Sequence, residues 1–226
     1  MSTTRHGVIE YRGDTEVRGI ERWSITLDAD GSRTLSAHCR MFDTEIERWV
    51  VHSVDAAMRP QRSFVTHRQR GQFLGEGRFW FEPGRLHGHT HVESGLLEQE
   101  IEIDGELDYF VPHAVAGDSW ITPCHDASTP GWQEIRNGFA SSLLADGSTG
   151  PMIERHEGIR IQLIGPETVE VPAGVFETQH FVVSARPGIE EHLWVSRDDF
   201  HQLVKLRSDR LATTYLLTEL HEEPAP

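Results

Sequence analysis

The sequence predicts an all-β fold, a strongly curved antiparallel sheet or incomplete β-barrel with one principal helix across the opening. Three observations carry this. Apolar residues recur with period two through most of the chain, short polar or Gly/Pro punctuation separates the runs, and one stretch near 130–146 switches to helical spacing.

The elements follow in order. Gly19 to Leu27 puts Gly19, Glu21, Trp23, Ile25 and Leu27 on one face, and Asp28-Ala29-Asp30-Gly31 then reverses the chain. Arg33 to Met41 sets Leu35, Ala37, Cys39 and Met41 against Thr34, Ser36, His38 and Arg40. Further runs cover Ile46–Val54, Arg62–Gln69, Gly77–Phe81, Leu86–Val92 and Leu96–Ile103. Residues 105–131, which hold Pro112, Gly117, Pro123 and Pro130, read as an irregular loop. Trp132, Ile135, Phe139 and Leu143 then recur at helical spacing, with Thr129 as N-cap, Pro130 in the first turn and Gly147 as terminator. Strands resume at Gly158–Ile164, Thr168–Val171, Val175–Ser184, Ile189–Val195, Gln202–Ser208 and Leu211–Leu220. No composition break marks a linker, so residues 1–226 read as one domain, with a two-half organisation about Gly105–Pro151 left open.

Charge narrows the partners. A formal net charge of −15 argues against nucleic acid and against an anionic membrane surface, since both need basic residues. No run is apolar for the length of a bilayer span. Met1 to Gly7 leads straight into a strand-like run without an apolar signal segment, and Cys39 and Cys124 lack metal-type spacing, so a cytoplasmic setting with two free thiols is expected. Open sheet edges also allow a homodimer.

The turn Val171-Pro172-Ala173-Gly174-Val175-Phe176, the strand Glu191–Val195 around Trp194, the charged turn Arg197-Asp198-Asp199 and the final run through Tyr215 give the last third a family look. It resembles bacterial families of the lipoprotein-carrier (LolA/LolB-like) incomplete-barrel fold, including DUF3108-type proteins. The resemblance implies an apolar ligand in the barrel. Most such proteins are exported. The expected cytoplasmic setting makes the cofactor-free violacein-pathway enzyme of this fold the nearer analogy.

The sharpest chemical constellation is a hairpin turning at Pro83-Gly84. A two- or four-residue loop sets Trp80 opposite His87, Arg78 opposite His89 and Glu76 opposite His91 on one side of the sheet, with Phe79, Phe81, Leu86 and Val92 on the other. Turned inward, the polar side offers imidazoles for acid–base work, a guanidinium for a developing anion and an indole to stack on a ring; turned outward, it is a solvated face. The imidazole row also raises a metal reading, but alternate residues from His87 to His91 span about 13 Å, too far for one ion. At most two could ligate, with help from Glu93, His180 or His67.

The segment Asp118–Asp126 is the second candidate, where Trp120 and His125 could close with Trp132 over a ligand or plug the core. His180 lies on a largely apolar face, where a hydrogen-bonded core histidine is the ordinary reading. The expectation is therefore a cofactor-independent lyase or isomerase acting on a small aromatic or apolar oxygenated substrate. His87 or His89 is its acid or base and Arg78 its anion stabiliser. Trp80, His91, Tyr109, Trp120, His125, Trp132 and His180 shape the pocket, with no metal and no cofactor. A non-catalytic hydrophobic-ligand binder and a His-ligated metalloenzyme are the alternatives.

Overall fold

Eight strands open the chain, each hairpinning onto the next: β1 (Thr3–Arg12), β2 (Val17–Leu27), β3 (Arg33–Met41), β4 (Ile46–Val54), β5 (Pro60–Gln69), β6 (Gln72–Glu82), β7 (Arg85–Val92) and β8 (Gly95–Glu102). A segment of short pieces follows: β9 (Tyr109–Val111), helix α1 (Val115–Asp118), a 3-10 turn (Ser119–Cys124), β10 (Gln133–Glu134), β11 (Gly138–Ala140) and β12 (Glu154–Arg155). A second meander closes the chain: β13 (Arg160–Val171), β14 (Gly174–Arg186), β15 (Ile189–Ser196), β16 (Leu203–Ser208) and β17 (Thr213–Pro224). The computed structural model describes residues 2–144, 147–186 and 189–224.

The two meanders share one 14-stranded sheet in the order β10-β13-β14-β15-β16-β17-β1-β2-β3-β4-β5-β6-β7-β8. They join where β1 pairs antiparallel with β17, Thr4 opposite Glu223 and Tyr11 opposite Tyr215. The outermost strands β8 and β10 do not pair with each other, so the sheet is curved without closing. The single α-helix among the described residues is one turn long, and no helix among them is long and apolar enough to cross a membrane.

The inner face is recognisable by its sealed side chains: Ile25 and Leu35 on β2 and β3, Val50 on β4, Val65 on β5, Phe79 on β6 and Leu86 on β7. A three-stranded sheet, β12-β11-β9, fills the hollow. Phe110 of β9 meets Phe79 and Phe81 with ring centroids 5.2 and 4.8 Å apart. Where this plug presses closest, the main sheet gives up its side chains. A Cβ on Gly77 would lie 3.0 Å from the Pro151 ring and one on Gly88 3.0 Å from Ile153 Cδ1. The plug is also tied to the open edge: Gln99 of β8 donates Nε2 to the Ile153 carbonyl at 3.0 Å and accepts the Ile153 amide at 2.7 Å, so a side chain takes the place of a neighbouring strand.

Two expectations need correction here. The principal helix over 130–146 does not form. Gly131 is left-handed at φ +89°, and Asn137 Nδ2 donates to the carbonyls of Asp104 and Glu106, both at 2.8 Å. Gly138 then lies against the Tyr109 ring, and the chain runs on as β11 beside β9. Tertiary hydrogen bonds thus override a helical apolar spacing; residues 145 and 146, at the end of that stretch, lie outside the described residues. Conversely, 105–131 is not an irregular loop throughout, because it supplies β9, α1 and the 3-10 turn.

Candidate functional site

The site begins with a buried acid. Glu21 stands on the apolar face of β2 between Gly19 and Trp23 and is sealed from solvent. Its carboxylate accepts four hydrogen bonds: Tyr11 Oη at 2.7 Å, Cys39 Sγ at 3.0 Å, and the amides of Val115 and Ala116 at 2.9 and 2.8 Å. The last two are first-turn amides of α1, which have no partner within the helix, so Glu21 fixes α1 against the sheet. Its other end is tied to the loop after β15, where Ser119 Oγ donates to the His201 carbonyl at 2.6 Å and Trp120 Nε1 to the Phe200 carbonyl at 3.4 Å.

Held in this way, the last residue of α1, Asp118, faces a cavity of about 550 Å³ between the plug and the second meander. Val115, Ile159, Val183, Leu193 and Leu206 supply apolar wall. Asp118 Oδ1 is sealed from solvent, and neither carboxyl oxygen has a hydrogen-bond partner among the described residues. Burial, with the charges of Glu191 and Glu21 added, pushes this carboxyl well above the usual carboxylate range. Glu191 enters the same cavity from β15, in the alternating series Ile189, Glu191, Leu193, with Ser208 Oγ donating to its Oε1 at 3.0 Å.

Two phenols complete the floor. Tyr109 and Tyr215 line the cavity, and burial followed by nearby charge raises both, with Asp118 and Glu191 contributing in each case. Tyr109 Oη lies 3.1 Å from His156 Nδ1, whose ring is lowered by burial and then by the Arg210 charge. His113, at φ +63°, donates Nε2–H to the Ser142 carbonyl at 2.8 Å; burial and then Arg48 hold it well below the usual histidine range. Arg155, Glu157 and Arg210, all exposed, stand at the mouth. The arrangement joins a carboxyl whose proton is held more tightly than usual, a second carboxyl group and two phenols in a largely apolar chamber, which is a means of giving and taking a proton.

The hairpin register is as expected: Trp80 opposes His87, Arg78 opposes His89 and Glu76 opposes His91. Its face is reversed. His89 and His91 are exposed, while Gly88 and Thr90 between them point into the protein, so the imidazole row with Arg78 does not line an enclosed chamber. Trp80 stacks on His87 at 4.9 Å and 6°, and with Arg78 it borders an open groove of about 900 Å³ on the outer surface. The reason is the plug: a face pressed against other chain needs small or apolar residues, and Gly75, Gly77 and Gly88 are on the inner one.

The other expected pocket residues scatter. Tyr109 alone lines the cavity. Trp120 is buried against His52 at 5.6 Å as a core plug. His125 lies 3.1 Å from Gln133 Nε2, and Trp132 is 37% exposed beneath the Arg160 guanidinium. His180 lies on the face of the second meander away from the cavity, 3.0 Å from His192 Nδ1 and 3.2 Å from Glu167, stacked on Trp194. No three His, Cys, Asp or Glu side chains among the described residues converge to hold a metal ion. Sequence reasoning misses Asp118 and Glu191; for Glu191 the available signal is an acid in phase with Ile189 and Leu193.

No family model and no curated protein matches the chain. Among solved structures, the chain is similar to a beta-barrel-like protein of the DUF1849 domain of unknown function from Brucella abortus. The two share 10% identity and superpose with a TM-score of 0.56 over 99% of this chain and 98% of that one, so the likeness is one of fold. A putative exported protein with a YmcC-like fold from Bacteroides fragilis aligns over 97% of this chain and 95% of its own at 10% identity, with a TM-score of only 0.25.

Proposed function

We propose that the cavity is the active site of a cofactor-independent isomerase or lyase that moves a proton on a small, largely apolar molecule bearing an oxygen function. The observation behind it is Asp118, a carboxyl with no hydrogen-bond partner among the described residues, facing an apolar cavity beside a second carboxyl group. Leaving such a group unsatisfied costs free energy unless it is neutral or meets a ligand. Asp118 donates its proton to the substrate oxygen, the hydroxyls of Tyr109 and Tyr215 orient that oxygen, and Glu191 accepts a carbon-bound proton.

Deuterium incorporation from D2O into a panel of small carbonyl compounds, followed by NMR, tests this whatever the natural substrate. Incorporation is expected with the native protein and not with Asp118→Asn or Glu191→Gln, while His89→Ala, on the outer face, leaves it unchanged. Retained exchange in both cavity variants would remove these residues from the chemistry.

A second reading, a carrier of a hydrophobic ligand in the manner of the lipoprotein-carrier fold, draws support from the apolar walls and from Leu143 and Ile189 at the cavity border, 53% and 38% exposed. It predicts compounds that bind and are released unaltered.

A further inference from the structure

We infer, on the footing that the cavity is the ligand site, that its ligand is an amphipathic carboxylate whose uncharged end enters first and whose charge stays at Arg210 and Arg155. The inference stands on how charge is distributed along the cavity. At the inner end are Asp118, with Glu21 behind α1, the phenols of Tyr109 and Tyr215, and the pair Leu193 and Leu206; Glu191, opposite Ser208, stands nearer the turn that carries Arg210. An anion driven to that end would pass Glu191 and meet the carboxyl groups of β2 and α1 in a poorly solvated space, which disfavours charge.

The mouth has the opposite character. Arg155 comes from β12 of the plug and Arg210 from the turn between β16 and β17, so the two guanidinium groups stand on lips supplied by different sheets. Arg210 has no hydrogen-bond or ion-pair partner among the described residues. Arg155 lies over the Phe139 ring at 4.6 Å and spends one donor on a long bond to the Arg136 carbonyl, at 3.4 Å. Glu157, the acid at this end, pairs with neither within the described residues. Ile159 and Val183 line the approach, and Leu193 and Leu206 the inner end. A ligand with an apolar body, a neutral oxygen function at its inner end and one terminal carboxylate meets a matching environment along its length in one orientation only. Guanidinium groups suit that carboxylate because their planar forks grip both oxygens.

Three probes of one shape and different charge test this: 2-naphthoate, 2-naphthamide and 2-naphthylmethylammonium, titrated calorimetrically at neutral pH in low and high salt. The exposed mouth limits the effect, so naphthoate should bind about fivefold more tightly than the amide in low salt. That advantage should shrink in high salt. The double variant Arg155→Gln, Arg210→Gln should abolish the advantage and leave the amide's affinity as it was, and Arg210→Lys should restore part of it.

Equal binding of acid and amide, or tightest binding by the ammonium, would overturn the charge assignment. Equal losses for acid and amide in the double variant would show the arginines to be structural and overturn it too. So would Asp118→Asn changing naphthoate far more than naphthamide, since the carboxylate would then sit at the inner end. If none of the three probes binds, the cavity itself fails as the ligand site, a result distinct from all of these.

Discussion

Replacing Glu21 with glutamine changes one oxygen to an NH2 group and asks how much of the site rests on that carboxylate. In the native protein Oε2 takes the Tyr11 hydroxyl, the Cys39 thiol and the Val115 amide, and Oε1 takes the Ala116 amide. The least damaging orientation keeps the carbonyl oxygen at the Oε2 position and turns the new NH2 toward the Ala116 N–H, donor against donor. One buried amide is then orphaned, at about 1–3 kcal/mol, and three remaining bonds lose their charge assistance. A total near 3 kcal/mol is expected, a large share of the roughly 5–15 kcal/mol that stabilises a typical domain. Urea denaturation measures the loss, and hydrogen exchange localises it: the Ala116 amide should lose protection ahead of the sheet. Because α1 carries Asp118, naphthoate binding should weaken as well. An unfolding free energy within about 0.5 kcal/mol of native, with Ala116 exchange unchanged, would refute the reasoning.

Three further outcomes are expected. Asp118→Asn should raise the denaturation midpoint at neutral pH, because the raised native carboxyl binds a proton that the unfolded chain has released. The gain should close as pH falls below the usual carboxylate range, and a constant or reversed difference would contradict the assignment. His52 is pushed by burial from 6.5 to about 4, so below pH 6.5 the unfolded chain takes up a proton that the native state refuses. The native state should lose about 3 kcal/mol from this group as pH falls from 6.5 to 4, read as the pH slope of stability that His52→Gln removes. Gly138→Ala drives a Cβ into Tyr109 Cε1; it should cost about 1–3 kcal/mol and displace the ring from His156, visible as a changed His156 NMR titration.

Much of the architecture is legible in the sequence because a sheet buried on one face writes its period directly into the chain. Leu35, Ala37 and Cys39 alternate with Thr34, Ser36 and His38, and the structure buries the first set. The Pro83-Gly84 turn likewise gives the pairing of β6 with β7. Which way that hairpin faces is harder to read, since Trp80 suggests enclosure. Gly75, Gly77, Gly88 and Thr90 carry the answer, because a wetted face has no need of residues so small in alternate positions. The helical spacing of Trp132, Ile135 and Phe139 misleads for another reason: Asn137 and Gly138 are committed to partners some thirty residues upstream, which no local period encodes. The cavity combines both difficulties. Glu191 is in phase with apolar neighbours, but Asp118 acquires its role only when Glu21, on β2, anchors α1.

The seam between β1 and β17 has a consequence for how the chain is made. Thr4 lies opposite Glu223, so the second neighbour of β1 leaves a ribosome only after β2 to β16 have done so. Until then the finished first meander carries a bare lateral border, with an incomplete hydrogen-bond ladder able to capture another nascent chain. Folding yield at high expression, more than the stability of the mature protein, should therefore depend on how quickly Thr213–Pro224 arrives.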